Sequence, residues 1–302
     1  MKFLRNQVIK KMLELSEGLD AVRGADWAEL SALYDYPAPL SESVIESFFE
    51  SQNAENYDLL SSDIFQHLNW RNKVCKNYPF QINENSIVAK TNIKKALPYS
   101  FPLLLATHDF YEKTTIENWS NVGDLFELYC AASLSQQIGK TILIGNQLGN
   151  LPVDFDECLL KVCQIINERK GPIHPKARDF QDAGVDIIAY RKFDQRKGQI
   201  VVLIQCASGK NWRRKGGDIK PKLWSELVFW TVDPIKAMTF PFAYDFDSPE
   251  IEKEWIYASY DAGLLLDRLR LVAFDYKKTE YDFTPINKWV KDQVKKLGDY
   301  KI

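Results

Sequence analysis

Three features of the 302-residue sequence predict an α/β fold. Two β-rich runs, 185–192 and 199–206, flank the turn-like FDQRKG and read as paired strands. Before them NVGDLFELYCAASLSQQI, residues 121–138, has helical periodicity, and after them a helical segment, a β-rich segment and a C-terminal helix follow. Helices and strands alternating in this way predict a sheet with helices on its faces. With 45% hydrophobic residues, and 39 Lys plus Arg against 41 Asp plus Glu, the chain is no disordered tail, collagen-like fibre or supercharged coat. The length suffices for one large domain or two modest ones.

In order along the chain, Leu4, Val8, Met12, Leu15, Leu19 and Val22 recur every three or four residues and predict an amphipathic helix ending near Gly24. Helical patterns follow at 42–51 and 58–76, and YPFQINENSIVAK predicts a hairpin around Asn83-Glu84-Asn85. Pro98 and Pro102 bracket a change of direction. A boundary near 110–120 then divides a mainly helical N-terminal module, 1–115, from a second domain, 116–302. In the second domain Asn121 is the expected N-cap of the first helix. A short strand at 141–144, a helix at 155–169, the two strands, a basic segment of helical potential at 211–228, β-rich KAMTFPFAY, the apolar run 263–274 and a helix at 284–297 complete the chain.

Five cysteines, Cys75, Cys130, Cys158, Cys163 and Cys206, include no CxxC pair, so they predict reduced, mostly buried thiols. The N-terminus lacks the unbroken apolar stretch of a signal peptide, and the longest apolar runs, 101–106 and 200–204, fall far short of the roughly 20 residues that span a bilayer. A cytoplasmic chain with no membrane partner is expected.

Chemistry concentrates in QDAGVDIIAYRKFDQRKGQIVVLIQCASGKNWRRK, residues 181–215. Asp186 opens one apolar strand and Gln205 interrupts the far end of the next, where polar side chains are costly unless they are paired or bind something. A divalent metal explains both, with Asp186 giving a carboxylate oxygen, Gln205 an amide oxygen and Cys206 its backbone carbonyl. Hard cations such as Mg2+, with Mn2+ as a substitute, take such ligands. They serve phosphodiester hydrolysis, in which a nearby lysine amine orients or deprotonates water. Lys210 and Lys215 lie five and ten residues past Gln205.

The glutamate in GDLFE, the aspartate in GVDII and the Gln followed by a lysine resemble the PD-(D/E)XK nuclease superfamily, with its restriction-endonuclease-like fold. DAGVDIIAY, QCASGKNWRRK and LLLDRLRL together resemble bacterial members found in anti-phage defence loci. The likeness covers roughly 120–275. It implies a mixed sheet flanked by helices, Glu127 as the helix acid, Asp186 and Gln205 as the metal-binding pair, and a lysine close by. It also implies DNA as the substrate, with RNA an open alternative, and a defence partner such as an ATPase or sensor. One departure stands out. The superfamily's lysine follows two residues after the Glu or Gln, on the same face of the strand, and here that position is Ala207. Either Lys210 or Lys215 has taken its role, or the chain is a catalytically degenerate DNA-binding subunit that serves a partner enzyme.

Residues 191–222 hold ten basic and two acidic residues, a balance of +8, and predict a nucleic-acid surface that includes Lys192, Arg196, Lys197, Arg213 and Arg214. Residues 14–58 hold eleven acids and one base, a balance of −10, so near-neutrality conceals a dipolar chain. That acidic stretch is either a solvated helical surface or a restraint on the basic face. Trp212 is expected to pack rather than stack on a base, whereas Arg268 and Arg270 suit phosphate contact and a salt bridge to an acid equally. His108-Asp109 with His67 only superficially resembles a metal-dependent HD phosphohydrolase. Gly139-Lys140-Thr141 lacks the first glycine of a P-loop, since position 134 is Leu.

Overall fold

The computed structural model describes residues 21–51, 57–108, 119–145, 151–152, 154–172, 183–209, 211–246 and 249–299. The first predicted helix up to Asp20, and Asp109, His174, Asp182 and Lys210, lie outside the described residues. Four helices, α1 (Ala21–Tyr34), α2 (Glu42–Ser51), α3 (Tyr57–Val74) and α4 (Leu97–Ala106), come first, with the small strands β1 (Leu40–Ser41), β2 (Phe80–Asn83) and β3 (Ser86–Ala89) among them. The hairpin pairs Ile82 with Ile87 around the expected turn.

Two differences have plain physical causes. Helix α1 runs straight through Gly24, because glycine there is a close-approach residue and not a cap. A Cβ on it would lie 2.5 Å from Ile64 Cδ1 of α3. Pro98 sits in the first turn of α4, where a missing N–H costs nothing, so it begins a helix instead of turning the chain; Pro102 lies inside that helix.

The second half opens with α5 (Trp119–Gln137), which begins two residues before Asn121 and places it inside the helix. It continues through β4 (Lys140–Leu143), α6 (Phe155–Ile166), β5 (Arg169–Lys170), β6 (Ile187–Arg191) and β7 (Ile200–Cys206). The basic segment then forms a 3-10 turn (Trp212–Gly217), the short helix α7 (Pro221–Leu227) and β8 (Val228–Phe229). β9 (Ile235–Thr239), α8 (Pro249–Ala262), β10 (Leu264–Leu266), α9 (Arg268–Leu271), a second 3-10 turn (Tyr276–Lys278) and α10 (Thr284–Asp299) follow. Helix α8 was not expected from the sequence. Its acids and exposed aromatics blur the stripe formed by Ile251, Trp255, Ala258 and Ala262.

A five-stranded mixed sheet is central, in the order β10-β9-β7-β6-β4. β4 and β7 run antiparallel to β6, while β7, β9 and β10 are parallel to one another. Alternation along the strands separates two faces. Ile187, Ala189, Val202, Ile204 and Cys206 join the core beneath α5, whereas Ile188, Tyr190, Val201 and Leu203 face α6 and α7. The parallel edge continues that second face with Met238 and Leu265 beneath α8. Gly139 lets α5 pass into β4, since a Cβ there would lie 2.4 Å from the Tyr190 carbonyl oxygen, so Gly139-Lys140-Thr141 is a helix-to-strand junction.

One apolar cluster extends from Ala25 in α1 to Leu297 in α10 and crosses the 110–120 stretch. Inside it is a network of buried charges. Arg71 of α3 reaches Asp26 at 2.7 Å, Glu29 at 3.1 Å and Asp245 at 2.7 Å. Arg268 bonds Asp26, lies 3.2 Å from Glu29 and stands over the Tyr99 ring. Tyr78 and Tyr99 both donate to Glu29 Oε1. His67 Nδ1 is 3.2 Å from Asp245 Oδ2. Burial alone would weaken the guanidinium charges, but the carboxylates around them raise both arginines above their ordinary pKa. Asp26 and Glu29, two of the eleven acids of the N-terminal stretch, are therefore internal counter-ions and not solvated surface. Arg268 is committed here and not to phosphate, while Arg270 donates to the Leu265 carbonyl and lies over the Trp255 ring.

Candidate functional site

The antiparallel register of β6 and β7 pairs Ile187 with Ile204. The next pair outward is then Asp186 with Gln205, on the same face by alternation. Both side chains are more than nine-tenths buried, at 8% and 7% exposure. Asp186 Oδ2 accepts from Gln205 Nε2 at 3.2 Å and from the Cys206 amide at 2.6 Å. Its own backbone is held on both sides, since its N–H donates to Ile204 and its carbonyl accepts from Ile144. The residues before it turn through Ala183 and Gly184, both at positive φ. Glycine is needed at 184 twice over: φ is +75°, and a Cβ would lie 2.5 Å from the Asp218 carbonyl oxygen.

Because its amide nitrogen is used on Asp186, Gln205 has its Oε1 buried with no hydrogen-bond partner among the described residues. A buried acceptor left so costs about 1–3 kcal/mol unless something binds it. Asp186 Oδ and Gln205 Oε1 are hard oxygens of the type that Mg2+ or Mn2+ takes. No group of three or more His, Cys, Asp or Glu among the described residues is arranged to hold a metal. The Cys206 thiol points to the α5 face. Burial, its hydrogen bond with Cys130 and the nearby Asp186 and Glu127 charges raise its pKa well above the usual range.

Glu127 lies on α5, which covers the face of Ile187 and Ile204, so it stands on the side of the sheet opposite to Asp186 and Gln205, whose side chains alternate with those residues. One turn further along that helix, Cys130 Sγ donates to Thr239 Oγ1 at the last residue of β9 (3.4 Å), which sets Glu127 beyond the strand ends. Its charge and that of Asp186 both act on the Cys206 thiol. Asp124, three residues earlier on the same side, has its pKa raised by burial. The sequence reading missed Cys130 and Thr239. The interval of three from Glu127 to Cys130 was the available signal.

Ala207 follows Gln205 on the same face and is fully buried among Trp212, Met238 and Phe240. Trp212 stacks on Phe240 with ring centres 4.1 Å apart, so it packs as expected. The 3-10 turn then carries Lys215 back along the sheet, because Gly216 lies against Ala262 and its carbonyl accepts from Lys236 at 3.5 Å. Lys236 pairs with Leu203, so this point is two strand residues, roughly 7 Å, behind Gln205.

The expected basic surface divides. Arg213, over the Trp212 and Tyr244 rings, and Arg214 follow the Gln205 end of β7. Lys192, Arg196 and Lys197 occupy the opposite end, beyond Arg191 and Ile200, roughly 20 Å from Asp186 along β6. Strand length is the reason. A hairpin tip cannot lie beside the outer ends of its own strands. Arg196 is also paired with Asp194, its Nε donating to Oδ2 at 2.8 Å.

Among the described residues no helix is long and apolar enough to cross a membrane. Comparison with family models, curated proteins and solved structures found no match to the chain.

Proposed function

We propose that the chain is a Mg2+-dependent nuclease, a DNA endonuclease with a restriction-endonuclease-like core. The observation that carries this reading is the buried Asp186–Gln205 pair at adjacent strand ends, with the Gln205 Oε1 unpartnered. The mixed sheet and the position of Glu127 at the same end support it. Asp186, Gln205 Oε1 and the Cys206 carbonyl would hold the cation, which when bound stabilises charge on phosphate oxygens and acidifies water. The chain's own contribution is positional. The Cys206 amide fixes Asp186 Oδ2, and Gln205 Nε2 fixes the same oxygen from the side chain. Lys210 or Lys215 supplies the amine that orients water, and Arg213 and Arg214 contact the phosphate backbone. A role in bacterial defence against phage, with an ATPase or sensor as partner, rests on the resemblance alone.

The test is cleavage of DNA, with RNA as competitor, in Mg2+, in Mn2+ and in EDTA. Metal-dependent cutting that Asp186→Ala abolishes supports the proposal. Activity that survives both EDTA and Asp186→Ala removes the site. Lys210→Ala and Lys215→Ala, compared in the same assay, identify the amine.

One observation favours the second reading, a degenerate DNA-binding subunit. Ala207 is sealed under Trp212, which leaves no room for a lysine at the usual position. That reading predicts salt-sensitive DNA binding without metal, and no cleavage with any divalent ion.

A further inference from the structure

The sheet end opposite Asp186 exposes apolar side chains from neighbouring elements. Phe193 at the β6–β7 tip, Ile200 on β7, Phe229 on β8 and Val232 and Ile235 leading into β9 are all 41–68% exposed. They are neighbours in space. A Cβ on Gly198 would meet the Thr231 and Val232 side chains, Ile235 pairs with Val202 one strand across from the tip, and Glu168 ties Gly198 to Thr231 through both its oxygens. Apolar surface gathered in this way marks an interaction site. Its rim is basic. Arg169, Arg191, Lys192, Arg196 and Lys197 stand against Asp194 and Asp233, a balance of +3, and Arg169 lies over the Phe229 ring at 5.4 Å.

Helix α8 presents the counterpart. Its inward stripe is buried, but Ile256, Tyr257 and Tyr260 point outward at 57%, 73% and 90% exposure. Around them Glu250, Glu252, Glu254 and Asp261 oppose only Lys253, a balance of −3. The two surfaces are adjacent. Lys236, next to Ile235, donates to the Asp261 carbonyl at 2.6 Å, and α8 passes through Gly263 directly into Leu264 at the same end of the sheet. Both belong to firmly packed elements of one chain, so neither can cover the other within it.

We infer that the chain pairs with a second copy of itself through this end. Two adjacent surfaces, both apolar at the centre and opposite in charge, suit a twofold axis. The basic tip of each copy meets the acidic α8 of the other, and the same contact is made twice. This pairing accounts for Lys192, Arg196 and Lys197 without the strand-end site, and it stands whether or not that site cuts nucleic acid.

Sedimentation equilibrium of the full chain at micromolar concentrations tests it. The expected mass is twice the 35.0 kDa of one chain, falling toward a single chain as salt is raised. Two charge reversals, Lys192→Glu with Lys197→Glu on the tip and Glu252→Lys with Asp261→Lys on the helix, should each give monomers with unchanged thermal unfolding. Mixed together, they should restore the paired mass. A single-chain mass at every concentration overturns the inference, and so does a dimer that neither reversal weakens. Loss of DNA retention in the tip variant with the dimer intact also overturns it, and assigns the tip to nucleic acid.

Discussion

Two buried polar groups in this molecule are built on opposite principles. At the junction of α1, α3 and α9, every ionised side chain finds an opposite charge within 3.2 Å, and Arg71 alone engages three carboxylates. At the ends of β6 and β7, a carboxylate is paired with an amide whose oxygen has no partner among the described residues. The first pairs every charge and binds the N-terminal helices to the sheet, although Arg268 Nε and Nη1 have no hydrogen-bond partner among the described residues. The second leaves an acceptor, the Gln205 oxygen, where the proposed cation would bind. Neutral groups could replace the first with little loss if all its members changed together, whereas removing one member strands the others.

That contrast is most sharply broken at Arg71. Arg71→Ala leaves Asp26, Glu29 and Asp245 buried without their shared cation, and should lower unfolding stability by about 3–5 kcal/mol in urea titration. A loss under about 1 kcal/mol would show the network to be no more than surface-like pairing.

The pH dependence should follow Asp267, which caps α9 beside that network. Burial pushes its carboxyl up to about 6 from an ordinary 3.8, against the pull of the Tyr244 and Arg270 amides. The folded state thus keeps a proton that the unfolded chain releases between about pH 4 and 6. Stability conferred by this group must fall as pH rises through that window and level off above it, by about 3 kcal/mol in all. Asp267→Asn should remove that slope. Asp245 behaves in the opposite sense. Burial opposes its ionisation, but Arg71 and His67 hold it below the ordinary range, so its contribution is lost at low pH in both proteins. The difference between the two unfolding curves isolates Asp267.

At the open site the signs reverse. Asp186→Ala should cost at least about 100-fold in metal-dependent cleavage, the scale of a lost catalytic group, while its effect on stability stays far below that of Arg71→Ala. Equal losses of stability would mean that the strand-end pair is only structural. Gln205→Met keeps the volume and removes both the orphaned oxygen and the Nε2 donor to Asp186 Oδ2, which keeps its bond from the Cys206 amide. It should raise the Mg2+ concentration for half-maximal cleavage by about tenfold, and change stability by no more than about 1 kcal/mol. Last, Arg196→Ala, at an exposed ion pair on the far tip, should leave both cleavage and unfolding unchanged, as assays on the same preparations will show.

Particular residues show how much was readable beforehand. The unbroken apolar runs in GVDIIAY and QIVVLIQC located both strands, and with them the two polar interruptions, because one misplaced polar residue in a buried strand is conspicuous in any sequence. Gly24 misled, since the same residue type ends a helix or admits a close neighbour, and only the packing of α1 on Ile64 distinguishes the two. The +8 of 191–222 was summed along a chain that doubles back, and the sum could not tell that its halves stand at opposite ends of the sheet.

From local pattern alone, then, the sequence determined the α/β class, most helices and strands, the reduced thiols and the identity of Asp186 and Gln205 as out-of-place polar residues. Tertiary structure decided everything that depends on register and on distant partners. It set Asp186 opposite Gln205 and left the Gln205 amide oxygen without a partner among the described residues. It sealed Ala207 beneath Trp212, and it turned Asp26, Glu29 and Arg268 from apparent surface charge into an interior network. The physical reason is common to all of these. Periodicity is a property of neighbours in the chain, whereas the cost of a buried charge or an unbonded oxygen is fixed by groups up to 242 residues away, as between Asp26 and Arg268.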